Sequence, residues 1–213
     1  MIITYHGVDF FKVSFGDITI AVNPISKDST FKSARFGSDI TLVSLNSPEH
    51  NGSDVTSRGD KESFVISGPG EYEVSGVFIK GFLSKSNYGG SEKLNTIYTV
   101  SLEGMSLGFL GALSETQLSS DVKEALENID VLFVPIGGGM VLDPASAHKL
   151  AVQFEPKIII PSHYGEGFDI SPHSLKTFLK ESGEETIKPT DKLTIKRKDL
   201  DGKEEEIIVL EQV

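Results

Sequence analysis

The first hundred residues consist of short β-branched and aromatic runs, and this pattern constrains the fold more than any other feature. "IITYHG", "FFKVSFG", "DITIAVNP", "DITLVSL", "SFVISGPG", "GVFIKGF" and "NTIYTVSLEG" are each bounded by Gly, Pro, Asn or Asp, the signature of strands and turns. "FFKVSF" alternates as a sheet with one buried face does. After residue 104 the character changes. "MSLGFLGALS" and "DVLFVPIGGG" are continuous apolar runs, suited to strands covered on both sides, and helical patterns lie between and after them. "DPASAHKLAVQF" offers Asp143 as N-cap, Pro144 at the first helical position and an apolar stripe of Ala147, Leu150, Ala151 and Phe154. "SPHSLKTFLKESG" repeats the device with Ser171, Pro172, Leu175, Phe178 and Leu179, and Gly183 supplies a stop. "SDVKEALENID" predicts a third, shorter helix. The tail "LTIKRKDLDGKEEEIIVLE" predicts a hairpin turning at Asp201-Gly202. With no fixed-period repeat and no linker, the expectation is one α/β domain over residues 1–213. The segment 84–93 is expected to be its most exposed and mobile loop.

Composition removes several function classes. The chain has no Cys, so disulfides and thiolate metal sites are excluded, in keeping with a cytoplasmic protein. Its net charge of −11 repels nucleic acid and anionic membrane on average. The one dense basic stretch, "KLTIKRK", is answered at once by "DLDGKEEE". There is no run of about 18 apolar residues, and "MIITYHGVDF" lacks the basic and apolar regions of a signal peptide. Neither a nucleic-acid nor a membrane partner is expected.

"TLVSLNSPEHNG", 41–52, is an apolar run that ends in polar residues, one histidine and Asn51-Gly52. It reads as a buried strand delivering side chains to a reactive edge. Together with "ITYHG", "ITIAVNP", "SGPGEYEVSGVFIKG", "NTIY", "GFLGAL", "DVLFVPIGGG…LDPASA" and "PKIIIPSHYG", in this order, it resembles the metallo-β-lactamase-fold hydrolases, in particular their small single-domain Zn-dependent branch. The resemblance runs over essentially the whole chain. It implies an αββα sandwich: two mixed β-sheets face to face, helices outside, and an active site along one edge.

In that family the strand-end loop reads His-x-His-x-Asp-His. Histidines at i and i+2 leave a strand on the same side, so both can reach one zinc ion, and two close cations activate a bridging water. Against that pattern Leu45 and Ser47 stand where the first two histidines belong, Glu49 stands for the Asp, and His50 remains. The family's bridging carboxylate matches Ala112 after Gly111. The Gly-His-Ser segment matches Gly7-Val8-Asp9, the Asp of the Asp-Pro pair matches Asn23, and the last histidine is His163. The resemblance therefore implies a pocket of Asn23, Leu45, Asn46, Ser47, Glu49, His50, Ala112 and His163. Its metal donors are reduced to Glu49, His50 and His163.

Two readings follow. In one, no cofactor binds, the histidines are hydrogen-bonded in a polar pocket, and the protein is a binding or regulatory module with a degenerate site. Its partners are then a small anionic ligand or further copies of itself in a homo-oligomer. In the other, Glu49, His50 and His163 hold a single ion, zinc by family analogy, in a hydrolase of phosphoesters, lactones or amides. "GPGEYEV", 68–74, is read as a tight turn packed under the pocket. "PIGGG", 135–139, is either a nest of N–H groups for an anion or a loop that needs positive φ. His148 and His173 are expected at the surface, and His6 can point either way.

Overall fold

The computed structural model describes residues 1–59, 62–165, 173–184 and 186–213. The strands expected in the first half form as β1 (Ile2–Tyr5), β2 (Phe11–Phe15), β3 (Ile18–Val22), β4 (Ile40–Leu42) and β5 (Phe64–Ile66). They continue with β6 (Gly70–Val74), β7 (Val77–Ser86), β8 (Lys93–Leu102) and β9 (Met105–Phe109). Helix α1 (Ser120–Leu126), β10 (Val131–Pro135), α2 (Pro144–Ala151), β11 (Ile158–Ser162), α3 (Ser174–Glu181), β12 (Leu193–Thr194) and β13 (Glu206–Ile207) complete the order. Among the described residues no helix is long and apolar enough to cross a membrane.

Among the described residues, two mixed sheets result, flanked by three short helices: an αββα sandwich. One runs β12-β1-β2-β3-β4-β5, the other β13-β11-β10-β9-β8-β7-β6. β3, β4 and β5 are parallel to one another, as are β9, β10, β11 and β13; the remaining pairs are antiparallel. Between the sheets Phe133 of β10 stacks on Phe109 of β9 at 4.2 Å between centroids and meets Phe11 of β2 edge-on at 4.7 Å. The alternation of β2 accounts for this, since Phe11 and Val13 face inward and Lys12 faces out.

The helices stop and start as their caps dictate. The Asp143 carboxylate accepts from the Ser146 amide at 3.0 Å, and Ser119 caps α1. Gly183 follows α3 at φ +80°, the left-handed conformation that ends helices. Ser171 and Pro172, expected to open α3, lie outside the described residues.

Two local expectations are corrected. The tail is not a hairpin: β12 pairs with β1 in one sheet and β13 with β11 in the other. Asp201-Gly202 still turns, but Ile195, Leu200, Ile207 and Val209 are buried in the common core, and that burial outweighs local pairing. "GPGEYEV" is not a turn under the pocket, because residues 70–74 form edge strand β6, with Glu71 ion-paired to Lys80 of β7 at 3.0 Å. The segment 84–93 is a loop over residues 87–92 with strand at its two ends, since β7 reaches Ser86 and β8 starts at Lys93, and most of that loop is exposed. At its tip Tyr88 is only 6% exposed.

Candidate functional site

The carboxyl ends of β3, β4, β9 and β11 open onto one edge of the sandwich, where their loops interlock. After β4, the Val43 amide donates to Ile66 and Leu45 bridges to Asn95 of β8. The chain then curls, with the amides of His50 and Asn51 both donating to the Ser47 carbonyl at 2.8 and 2.9 Å. Gly52 closes the curl against the strap after β3. A Cβ there would sit 2.4 Å from the backbone of Ile25 and Ser26, so the position requires glycine on space alone. His50 is thereby fixed facing inward, fully buried.

The second histidine arrives from β11. His163 has φ +58° and its amide donates to the Val8 carbonyl, while Val8 itself is at φ +59° and Asn23 at φ +50°. Three non-glycine residues in the left-handed region thus meet at one place. Each such conformation costs on the order of 1–3 kcal/mol and persists only where its surroundings hold it, as functional sites do. Here the Tyr5 hydroxyl donates to Val8 and Tyr164 carbonyls, and the Asn23 side chain accepts from the Ser44 amide at 2.7 Å.

The Nε2 atoms of His50 and His163 lie 3.2 Å apart, and His163 Nδ1 is 3.1 Å from the Ser162 hydroxyl. Ser162 in turn hydrogen bonds the buried Asp9 carboxylate, which also accepts from Asn23 Nδ2 at 2.5 Å. Burial pushes His50 down to about 3, with the Lys93 ammonium adding to the effect, and burial holds His163 well below the usual imidazole range. Both rings are neutral at pH 7, so one proton lies between them. His50 Nδ1 has no partner, and a lone pair is easier to leave unpaired than an N–H. The hydrogen-bond network therefore assigns His50 Nε2–H as donor to His163, His163 Nδ1–H as donor to Ser162, and the Ser162 hydroxyl as donor to Asp9. Burial raises Asp9 to about 7, against the opposing hydrogen bonds from Ser162 and Asn23.

Around this chain the other expected residues are distributed unevenly. Leu45 and Ala112 are buried in an apolar cluster with Val8, Phe10, Ile25, Tyr88 and Val141. Tyr88 sets its ring edge-on against His50 at 4.8 Å and against His163 at 6.1 Å. The Ser47 hydroxyl bonds the half-buried Glu49 carboxylate, whose other oxygen is 3.4 Å from Ser29 Oγ. Asn46 is exposed and accepts from Asn51. The structure thus gathers Asn23, His50 and His163, and ties Glu49 and Asn46 into the outer face of the loop. Sequence reasoning missed Asp9, Ser162 and Tyr88 as members. In "PIGGG" the amides of Ile136 and Gly138 donate to the carbonyls of Ser162 and Leu142, and Gly138 and Gly139 have positive φ, the backbone conformation glycine supplies. His173 is exposed, His148 half-buried edge-on to Phe178, and His6 half-buried against Phe10 and Phe36.

Among the described residues, no three His, Cys, Asp or Glu side chains converge as a metal set. With Asp9 engaged by Ser162 and Asn23 and Glu49 by Ser47 and Ser29, the two imidazoles supply fewer donors than a two-zinc centre, which draws on carboxylates and several histidines.

The profile of the beta-lactamase superfamily domain matches residues 2–163. The chain belongs to that superfamily. A Lysinibacillus sphaericus protein named as a metal-dependent hydrolase is 27% identical over 194 residues, spanning 77% of this chain and 85% of the relative. A Bacillus mycoides protein of the same description is 25% identical over 198 residues, with the same coverage. Among solved structures, a Thermotoga maritima protein described as a Zn-dependent hydrolase of the metallo-β-lactamase superfamily superposes with a TM-score of 0.75 at 26% identity, covering 98% of this chain and 97% of that one. A Parabacteroides distasonis protein described as a metal-dependent hydrolase shares the fold at a TM-score of 0.65 and 19% identity, covering 98% and 93%.

Proposed function

We propose that this superfamily member has lost dinuclear zinc hydrolase activity and works as a cytoplasmic, single-domain binding or regulatory module. The observation that carries this reading is the exchange of donors for hydrocarbon. Leu45 and Ala112, which stand at ligand positions of the resemblance, pack with Val8 and Tyr88 into one buried cluster beside a histidine pair whose Nε2 atoms hydrogen bond each other. Packed apolar groups at these positions stabilise the apo fold where charged ligands would be desolvated, and the buried Asp9 carboxylate is held by Ser162 and Asn23. Elemental analysis of untagged protein, incubated with Zn²⁺ and Mn²⁺ and then desalted, tests the proposal. We expect no stoichiometric metal. One or two ions per chain, lost in His50→Ala or His163→Ala, would overturn it.

A second reading is supported by one distance. Two imidazole nitrogens on a tetrahedral zinc with bonds of about 2.0–2.1 Å are separated by roughly 3.3 Å, and the two Nε2 atoms here are 3.2 Å apart. A mononuclear hydrolase would add Glu49 as third donor, at the cost of its bonds to Ser47 and Ser29. In that case Glu49→Gln abolishes metal retention and turnover together.

A further inference from the structure

Away from the histidine pair, on the outward side of β2, Lys12, Arg35 and Arg58 line one cavity of about 560 Å³ together with Thr19, Phe36 and Ser57. We propose that this cavity binds a small anion carrying adjoining phosphoryl groups, as in pyrophosphate or the diphosphate of a nucleotide. The proposal does not rest on the degenerate-site reading, since none of these residues belongs to that site.

Three observations carry it. First, charge: in a chain of net charge −11, three cations share one concavity and no described carboxylate forms an ion pair with them. Of the acidic residues near these loops in sequence, Asp39 turns its carboxylate to the Thr19 amide at 2.7 Å, and Asp60, next to Gly59, lies outside the described residues. Second, anchoring: Lys12 Nζ sits 4.9 Å over the Phe36 ring, and Phe36 stacks on the fully buried Phe10 at 5.4 Å. The ammonium is thus held against the core by a cation–π contact. Third, the two arginine-bearing loops are joined: the Phe36 amide donates to Val55 at 3.3 Å and the Ser38 amide to Thr56 at 2.9 Å. Gly37 leaves room for the Arg58 stem, because a Cβ there would lie 2.7 Å from Arg58 Cβ.

The chemistry of the three cations matches a diphosphate. Guanidinium forks give two parallel hydrogen bonds to phosphate oxygens, and an ammonium serves as a point charge between them. Thr19 and Ser57 add hydroxyl-bearing residues to the lining. The Phe36 ring already stacks on Phe10 at 5.4 Å, meets His6 at 5.5 Å and carries Lys12 Nζ at 4.9 Å, so it is engaged rather than open to a base. The site reads phosphate and ignores what the phosphate carries.

Isothermal titration of the full chain with inorganic pyrophosphate, and separately with ADP, tests this at low and at high salt. The expected result is one saturable site per chain, with the two ligands equal within about threefold and both weakened by salt. Arg35→Gln and Arg58→Gln should each weaken binding about tenfold, the loss of a hydrogen bond between charged groups. Lys198→Gln, a charge change in the exposed tail, should leave it unchanged. Because both arginines are exposed, the variants should melt with the parent, which separates lost binding from lost folding. Absence of saturable binding overturns the proposal. So does binding retained by the double arginine variant, or binding of ADP without pyrophosphate.

Discussion

Acidification from pH 7 to pH 5 should lower the unfolding free energy by about 1.5 kcal/mol through the buried chain of His50, His163 and Asp9, and Asp9→Asn should enlarge that loss to about 4 kcal/mol. Both histidines stay neutral in the folded protein over this range, because burial depresses them, whereas in the unfolded chain each titrates near 6.5. The unfolded state therefore binds more protons, and each histidine removes about 2 kcal/mol of stability between pH 7 and pH 5. Asp9 acts in the opposite direction. Its folded value of about 7 lies above its unfolded value, so the folded state binds more protons between roughly pH 4 and 7, and stability rises as pH falls by about 2 kcal/mol. The wild-type slope is the small difference of these terms, and Asp9→Asn deletes the counterweight. The chain has no Trp, so urea unfolding is followed by far-UV circular dichroism at both pH values. Surface carboxylates contribute equally to parent and variant and cancel in the comparison. Parallel pH profiles for the two proteins would show that Asp9 is ionised in the fold and refute the reasoning.

Two further outcomes follow from the same edge of the sandwich. Gly52→Ala should destabilise the protein by about 3 kcal/mol, since its Cβ would meet backbone rather than a movable side chain. Gly76→Ala, with open space but φ +77°, should cost only about 1 kcal/mol; thermal melts that rank the two the other way would contradict the packing described for the loop. Tyr88→Ala should cost about 3 kcal/mol and admit water to the histidine pair. The imidazole titrations followed by NMR should then move up toward the ordinary range, and unmoved resonances would show that Tyr88 does not shield the pair.

Much of the sandwich is legible in the sequence because its strands carry their burial as alternation or as continuous apolar runs. The misreadings have a common cause. β6 has both faces partly wet and is rich in Gly and acidic residues, so it carries no hydrophobic pattern. The tail's Asp-Gly signal is real but local, while its true partners, β1 and β11, are far away in sequence. At the site, the resemblance singles out His50 and His163, which the structure brings together. Asp9, Ser162 and Tyr88 do not, because a polar chain assembled from three distant turns leaves no periodic trace. The three residues with positive φ were equally silent, since nothing in a Val or a His announces a left-handed backbone.

The separate destinations of β12 and β13 also affect how the chain is made. The outer side of β1 and the outer side of β11 are each completed by segments translated near residues 193 and 207. Until those segments leave the ribosome, a nascent chain carries two unpaired strand edges, the condition under which strands pair with neighbouring molecules. Ribosomes stalled before residue 190 should therefore carry a chaperone-dependent, aggregation-prone product, and release of the last edge strands should be the step that commits it to folding.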